Sequence, residues 1–310
     1  MTLNESASIC ADVLTAHAAA WRCGVSTVAG ARVIDCGGAV AGGLNAGLQM
    51  ARVCLAGLAD VSLQPGPDGP TVQVYSDDPV RACLASQYAG WQIKLDRFFA
   101  MGSGPMRAAY GKEAMFNQLS NAREQPPCAV GVLETRKHPT EDVVAYLVER
   151  LPTSAEKLTL VVAPASSQAG TVQVVARALE TALHKLHQLK FDLAQVVSGY
   201  GVAPLPPVAA DEARAIGWTN DAILYGGRVV LWVRADDEIL DRVGPKVPSS
   251  ASSDHGSPFA EIFARHGGDF YKIDPLLFSP AVVEIRNLKT GKVHTFGRAE
   301  PEILRASFAK

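Results

Sequence analysis

The sequence predicts an α/β protein with mixed sheets. Three observations predict it. Strand-like and helix-like patterns alternate along all 310 residues, which is the pattern of an α/β chain. Leu158 to Ala163 is an uninterrupted apolar run, as in a strand covered on both faces. Lys289-Thr290-Gly291 separates two further apolar runs, a hairpin signal that puts antiparallel pairs beside parallel ones.

Taken in order, Asn4 to His17 reads as a helix with Ile9, Val13 and Leu14 on one side. Ala31 to Cys36 is a short apolar strand closed by Gly37-Gly38. The stretch Gly37 to Gly47 holds five glycines, so its conformation is set by backbone and it packs closely on a neighbour. Pro65 to Pro70 is a surface turn ahead of a strand at Val72 to Ser76. Pro79 to Ala89 is helical with proline in its first turn. Ala129 to Glu134 is a buried strand, and Thr140 to Leu151 an amphipathic helix. Beyond Leu158 to Ala163 comes the clearest helix, Val172 to Leu189. Short elements follow: a strand at Val196 to Gly199, a turn or two of helix at Asp211 to Gly217, a strand at Val229 to Val233 and a helix at Glu238 to Val243. Gly244 to Pro258, with five serines, three prolines and two glycines, reads as a flexible loop and a candidate lid. Phe259 to His266 is helical, and Val282 to Leu288 with Lys292 to Phe296 forms the hairpin. The division between domains is expected near residue 150, giving domains 1–150 and 151–310.

Composition removes several classes. The 29 Lys and Arg nearly balance 31 Asp and Glu, so nothing marks a nucleic-acid binder. With 48% hydrophobic and 19% charged residues the chain can bury a core and is not disordered. The six cysteines, Cys10, Cys23, Cys36, Cys54, Cys83 and Cys128, show no C-x-x-C and no zinc spacing. They read as buried thiols of a reducing compartment. No secretory leader is recognisable in Met1 to Val13, and the apolar stretch Cys36 to Leu63 is too interrupted to span a bilayer. A cytoplasmic protein is expected. P-loop, G-x-G-x-x-G, H-E-x-x-H and G-x-S-x-G motifs are all missing.

At about 100° per residue, Val175, Leu179, Ala182, Leu186 and Leu189 form the core stripe of the Val172 to Leu189 helix. Arg177, Glu180, His184 and His187 form a second stripe roughly opposite, each within reach of the next. Three readings stand side by side. The stripe is a solvated face; or Glu180, His184 and His187 ligate zinc; or Glu180 is an acid/base carboxyl held by Arg177 in a cleft. Burial and a guanidinium act in opposite directions on a carboxyl's proton affinity, which suits a group that accepts and returns a proton. A second notable segment is Phe98 to Arg107, where Pro105 opens a helix to about Leu119. Gly102, Ser103 and Gly104 would present free N–H groups at its start, or form a plain turn. Ser198 to Pro207 and Asp269 to Pro275 either line a pocket for a flat heterocycle or are packed loops.

Eight stretches together resemble one family. They are Asp35-Cys36-Gly37, Gly57-Leu58-Ala59-Asp60, Ser86-Gln87-Tyr88-Ala89-Gly90-Trp91-Gln92-Ile93-Lys94, Ala100-Met101-Gly102-Ser103-Gly104-Pro105, Val161-Val162-Ala163-Pro164, Arg177-Ala178-Leu179-Glu180-Thr181, Thr219-Asn220-Asp221, and Asp269-Phe270-Tyr271-Lys272-Ile273-Asp274-Pro275. In this order they resemble methenyltetrahydromethanopterin cyclohydrolase, and the Pro-Leu-Pro-Pro and Tyr-Gly-Gly stretches look like its methylotrophic bacterial branch. The resemblance implies reversible hydrolysis of 5,10-methenyltetrahydromethanopterin to the 5-formyl form, in one-carbon metabolism and formaldehyde oxidation. It implies no metal and no cofactor, a homotrimer, and a pterin cleft between two α/β domains. It also implies Arg177 and Glu180 as the catalytic pair, and substrate binding by Gln87, Tyr88, Gly102, Ser103, Gly104, Pro105, Tyr271 and Lys272. Two positions depart from the pattern: Tyr88 follows Ser-Gln where the family pattern leads to Lys, and Trp218 precedes Thr219-Asn220-Asp221 in place of a smaller or polar residue. His184 and His187 receive no catalytic role. A metal-dependent amidohydrolase or deaminase using Glu180, His184 and His187, and a non-catalytic pterin-binding protein, are the alternative readings.

Overall fold

A computed structural model of the protein describes residues 1–119, 122–269 and 272–309. Within them, two mixed six-stranded sheets carry helices, so the fold is α/β. The chain divides into two compact units, Met1–Asp60 with Arg81–Gln173, and Val61–Val80 with Val174–Lys310. Both units are therefore discontinuous, and the later division falls after Gln173 rather than near residue 150. Strand pairing is the reason. The Leu158–Ala163 strand is a central member of the first sheet, and the Gly69–Ser76 strand pairs with Val196–Pro204 in the second.

In the first unit the strands are β1 (Gly24–Val28), β2 (Ala31–Asp35), β5 (Trp91–Leu95), β6 (Phe98–Ser103), β7 (Ala129–Glu134) and β8 (Leu158–Ala163), ordered β1-β2-β8-β7-β6-β5. β8 runs parallel to both β2 and β7, and the outer pairs are antiparallel. Every β8 residue is buried, as its continuous apolar run requires. Val33, Ile93, Leu133, Leu160 and Val162 pack with Val143, Val144 and Leu147 of the Glu141–Val148 helix in one core. The first helix, Leu3–Ala16, starts in a capping box: the Thr2 side chain accepts from Glu5 N–H, and the Glu5 carboxylate accepts from Thr2 N–H at 2.8 Å. The glycine-rich stretch runs into helix Leu44–Cys54, where a Cβ at Gly47 would lie 2.7 Å from Val172 Cβ and 2.8 Å from Ala169 O. Close packing is thus what that glycine serves.

In the second unit β3 (Asp60–Gly66, whose first residue belongs to the other unit), β4 (Gly69–Ser76), β9 (Val196–Pro204), β10 (Arg228–Val233), β11 (Val282–Asn287) and β12 (Val293–Gly297) are ordered β12-β11-β10-β9-β4-β3. β10 and β11 are parallel, and the expected β11–β12 hairpin is antiparallel. A smaller core joins Leu224 and Tyr225 to Phe259, Ile262, Ile273 and Leu277.

Several elements differ from expectation. The Val172 to Leu189 helix is two helices, Gln168–Val175 and Ala178–Gln188. At the break Arg177 has φ −89° and ψ 2°, and its N–H bonds back only three residues, to Val174 O at 3.1 Å. The helix after Pro105 ends at Tyr110, not Leu119, because Gly111 caps it at φ +61°. Pro79 to Ala89 contains a π-helix over Arg81–Gln87. The short helix at Asp211 to Gly217 extends to Glu212–Gly226. Gly199 to Pro204 continues β9 rather than leaving the sheet. The candidate lid is a pinned segment: Ser249 Oγ donates to Leu224 O, Ser249 N–H to Pro280 O at 3.1 Å, and Ser252 Oγ to the Asp274 carboxylate at 2.6 Å. Of the six cysteines, all free, Cys36, Cys54 and Cys83 are buried and the other three half-buried. Among the described residues no helix is long and apolar enough to cross a membrane.

Candidate active site

The second unit holds the Arg177–Glu180 pair. Helix Ala178–Gln188 lies on β9 at two glycines. A Cβ at Gly201 would meet the backbone N of Leu179 at 2.9 Å, and one at Gly199 would meet Leu179 Cδ1 at 2.7 Å. Absent side chains thus let the first turn of this helix press onto the sheet. Of the expected core stripe, Val175, Leu179, Ala182 and Leu186 are buried and Leu189 is half-buried, and Leu183 is buried beside them. The helix break sets Arg177 at the N-cap and Glu180 three residues on. Their side chains meet at 3.9 Å between Arg177 Nη1 and Glu180 Oε2, and the residues are only 7% and 4% exposed. That burial removes the solvated-face reading for these two. A charged pair in such a place needs its partner, since removing either strands the other. The N-terminal end of a helix favours a carboxylate in its first turn.

Further along the stripe, His184 and His187 are half-buried. Burial, helped by Lys190, lowers the His187 pKa. Among the described residues no three His, Cys, Asp or Glu side chains gather as metal ligands would, so Glu180, His184 and His187 do not form the alternative zinc set. Lys185, on the same helix, is buried, and its ammonium donates to the carbonyl of Leu276. Lys272 is exposed and pairs with Asp269 at 3.7 Å. Tyr271 lies outside the described residues.

The first unit gathers Ser86, Gln87 and Tyr88 against the Gly102–Pro105 segment. The π-helix ends at Gln87, a geometry common at functional positions. Gly104 N–H donates to Ser86 O at 2.9 Å, while Gly102 and Ser103 belong to β6. So the expected cradle of free N–H groups is not formed there. The helix that follows has only five residues. Ser103 Oγ bonds to Val132 O at 3.2 Å, and Asn4 Nδ2 holds Pro105 O at 2.9 Å. Gln87 is fully buried. Tyr88 lies with its ring centroid 5.0 Å from the guanidinium carbon of Arg107.

Arg107 organises this cluster, a role that no sequence pattern assigned to it. Fully buried, it donates to Leu84 O at 3.0 Å and Ser86 O at 3.2 Å, and binds Glu113 through two bonds of 2.8 and 2.5 Å. Phe116 covers it at 5.4 Å. A six-residue spacing from Arg to Glu across a glycine carries no helical signature, so only coordinates reveal the pair.

Two α/β units, one bearing a buried carboxylate beside a guanidinium at a helix start, define the class: an α/β protein with the groups for proton transfer. The family model described as Cyclohydrolase (MCH) matches residues 2–308, and the chain belongs to this family. Three relatives carry the name methenyltetrahydromethanopterin cyclohydrolase. That of Rhodopirellula baltica is 48% identical, covering 99% of this chain and 94% of its own. That of Methylobacterium sp. strain 4-46 is 47% identical, with 99% and 98% covered. That of Methanococcoides burtonii is 41% identical, with 90% and 89% covered.

Proposed function

We propose that this chain hydrolyses the cyclic amidine of 5,10-methenyltetrahydromethanopterin to 5-formyltetrahydromethanopterin, reversibly, in one-carbon metabolism and formaldehyde oxidation. Relatives of that name over nearly the whole chain support the reaction. The observation that carries the mechanism is the buried Arg177–Glu180 pair. In the substrate one carbon sits between two nitrogens in a delocalised cation. Water must lose a proton as it attacks that carbon, and N10 must gain one as it leaves. Glu180 accepts the first proton and returns it as the second, and the remaining hydroxyl proton is released to solvent as the formyl C=O forms, the one proton that the overall hydrolysis of the cation yields. Its negative charge also favours the cationic ligand, more strongly where water is excluded. Arg177 orients Glu180. Gln87 and Tyr88 bind the pterin, while Tyr271 and Lys272 stay in the proposal on family resemblance. For Gly102, Ser103, Gly104 and Pro105 the part proposed is shaping the wall beside Gln87, since the Gly104 N–H is engaged with Ser86. No metal and no cofactor take part in the proposed reaction, the assembly is a homotrimer and the location is cytoplasmic.

The test is loss of the methenyl absorbance on adding enzyme in catalytic amount. Glu180→Gln should fold and lower kcat by about 10²–10⁴-fold; near-normal turnover would remove the assignment. Activity should survive exhaustive chelation. Light scattering on the eluting peak should return three times the chain mass of 32.8 kDa.

A further inference from the structure

Outside the proposed site, the first unit holds a second reactive arrangement. Cys23 and Cys36 stand one position beyond the Gly24↔Asp35 pair that ends the β1–β2 ladder. Their sulfurs are 3.8 Å apart and both thiols are free. Opposed residues of an antiparallel pair have Cα atoms about 4.5–5.5 Å apart, inside the range of about 4.4–6.8 Å that a disulfide spans. Closing the gap to a bond of about 2.0 Å needs a sulfur movement of about 1.8 Å, which side-chain rotation supplies.

The surroundings favour one order of events. Cys23 is half-buried and Cys36 fully buried, so a small oxidant meets Cys23 first. The hydrogen bond between the two thiols lowers the Cys23 pKa, and the same contact, with burial, raises that of Cys36. The segment after Cys36 is held at both ends. Asp35 accepts the N–H groups of Gly37, Gly38 and Ala39 at 2.6–2.9 Å. Arg22 Nε donates to Gly42 O at 2.7 Å, and Gly42 N–H returns a bond to Arg22 O at 3.0 Å. The residues next to each cysteine are therefore tied together, which keeps the two sulfurs facing each other.

We propose that Cys23 and Cys36 form a reversible modification site, a dithiol that hydroperoxides oxidise to an intrachain disulfide. The Cys23 thiolate attacks the terminal peroxide oxygen and the O–O bond breaks. With hydrogen peroxide the departing hydroxide takes a proton to become water, and Cys23 becomes a sulfenic acid. Cys36 then loses its proton and attacks the Cys23 sulfur; the S–O bond breaks and hydroxide leaves with that proton as a second water. Two thiols give up two electrons, and one peroxide accepts them.

The experiment treats the full chain with hydrogen peroxide, blocks remaining thiols with iodoacetamide under denaturing conditions and maps the peptides. The expected result is loss of two of the six thiols, a linked peptide joining Cys23 to Cys36, and recovery of both thiols with dithiothreitol. In Cys36→Ser the sulfenic acid should persist at Cys23 and be trapped by dimedone, whereas Cys23→Ser should keep Cys36 as a thiol. Mapping that finds both cysteines still alkylated, or Cys23 carried to sulfinic acid with Cys36 untouched, would overturn the proposal. The readout is covalent and independent of turnover, so it stands apart from the fate of the cyclohydrolase reading.

Discussion

At the scale of single residues, the 3-4-3 spacing of Arg177, Glu180, His184 and His187 made the pair visible, but not its burial. Periodicity gives an angle around a helix and says nothing of what lies outside it. Lys185 shows the same limit from the other side, because a lysine between two stripes reads as solvated and this one is buried. Desolvation drops its pKa from 10.5 to about 8, with Asp274 opposing. The consequence for stability has a definite sign. Below pH 8 folded and unfolded chains both carry the proton and the cost of burying the charge is complete. Between pH 8 and 10.5 the unfolded chain holds a proton the folded one has released, so stability rises with pH. Denaturant midpoints measured across that window should climb in the wild type relative to Lys185→Met, which lacks the group. Parallel curves would show that the ammonium is not desolvated.

At the scale of elements, the strands follow the sequence closely, since apolar runs such as Leu158 to Ala163 have few other fates. The β5–β6 hairpin went unread, although Trp91-Gln92-Ile93-Lys94-Leu95 alternates ahead of a two-residue turn, because Gly102, Gly104 and Pro105 read as the start of a helix. The helix break at Arg177 was not legible, because Ala176 and Arg177 are both good helix formers and the interruption is set by tertiary packing. That packing rests on β9, which allows a graded test. Gly201→Ala places a methyl 2.9 Å from backbone, whereas Gly199→Ala meets the far end of a leucine. Gly201→Ala should cost about 1–3 kcal/mol and lower kcat, with Gly199→Ala milder in both; equal effects would mean the helix start does not depend on β9. In the first unit, Glu113→Gln leaves the Arg107 guanidinium buried without its carboxylate, an expected loss of about 3–5 kcal/mol. Thermal melts should show it far exceeding the loss from Glu302→Gln, whose partner Arg305 is exposed.

At the scale of the whole molecule, fold class and chemistry could be read from the sequence, but the partition could not. Residues 61–80 lie between two segments of the first unit, and their sheet partner β9 follows more than a hundred residues later. No local pattern encodes a pairing at that range. A fragment 1–150 should therefore fail to fold, lacking β8 from the centre of its sheet; a cooperative melt from it would contradict this topology. The interleaving also orders events on the ribosome. The β3–β4 hairpin emerges early with its lasting neighbour still unsynthesised, and it must wait while residues 81–173 finish the other unit. Throughout that interval it presents an unsatisfied backbone edge, the kind of surface that chaperones shelter and that crowded nascent chains pair by mistake.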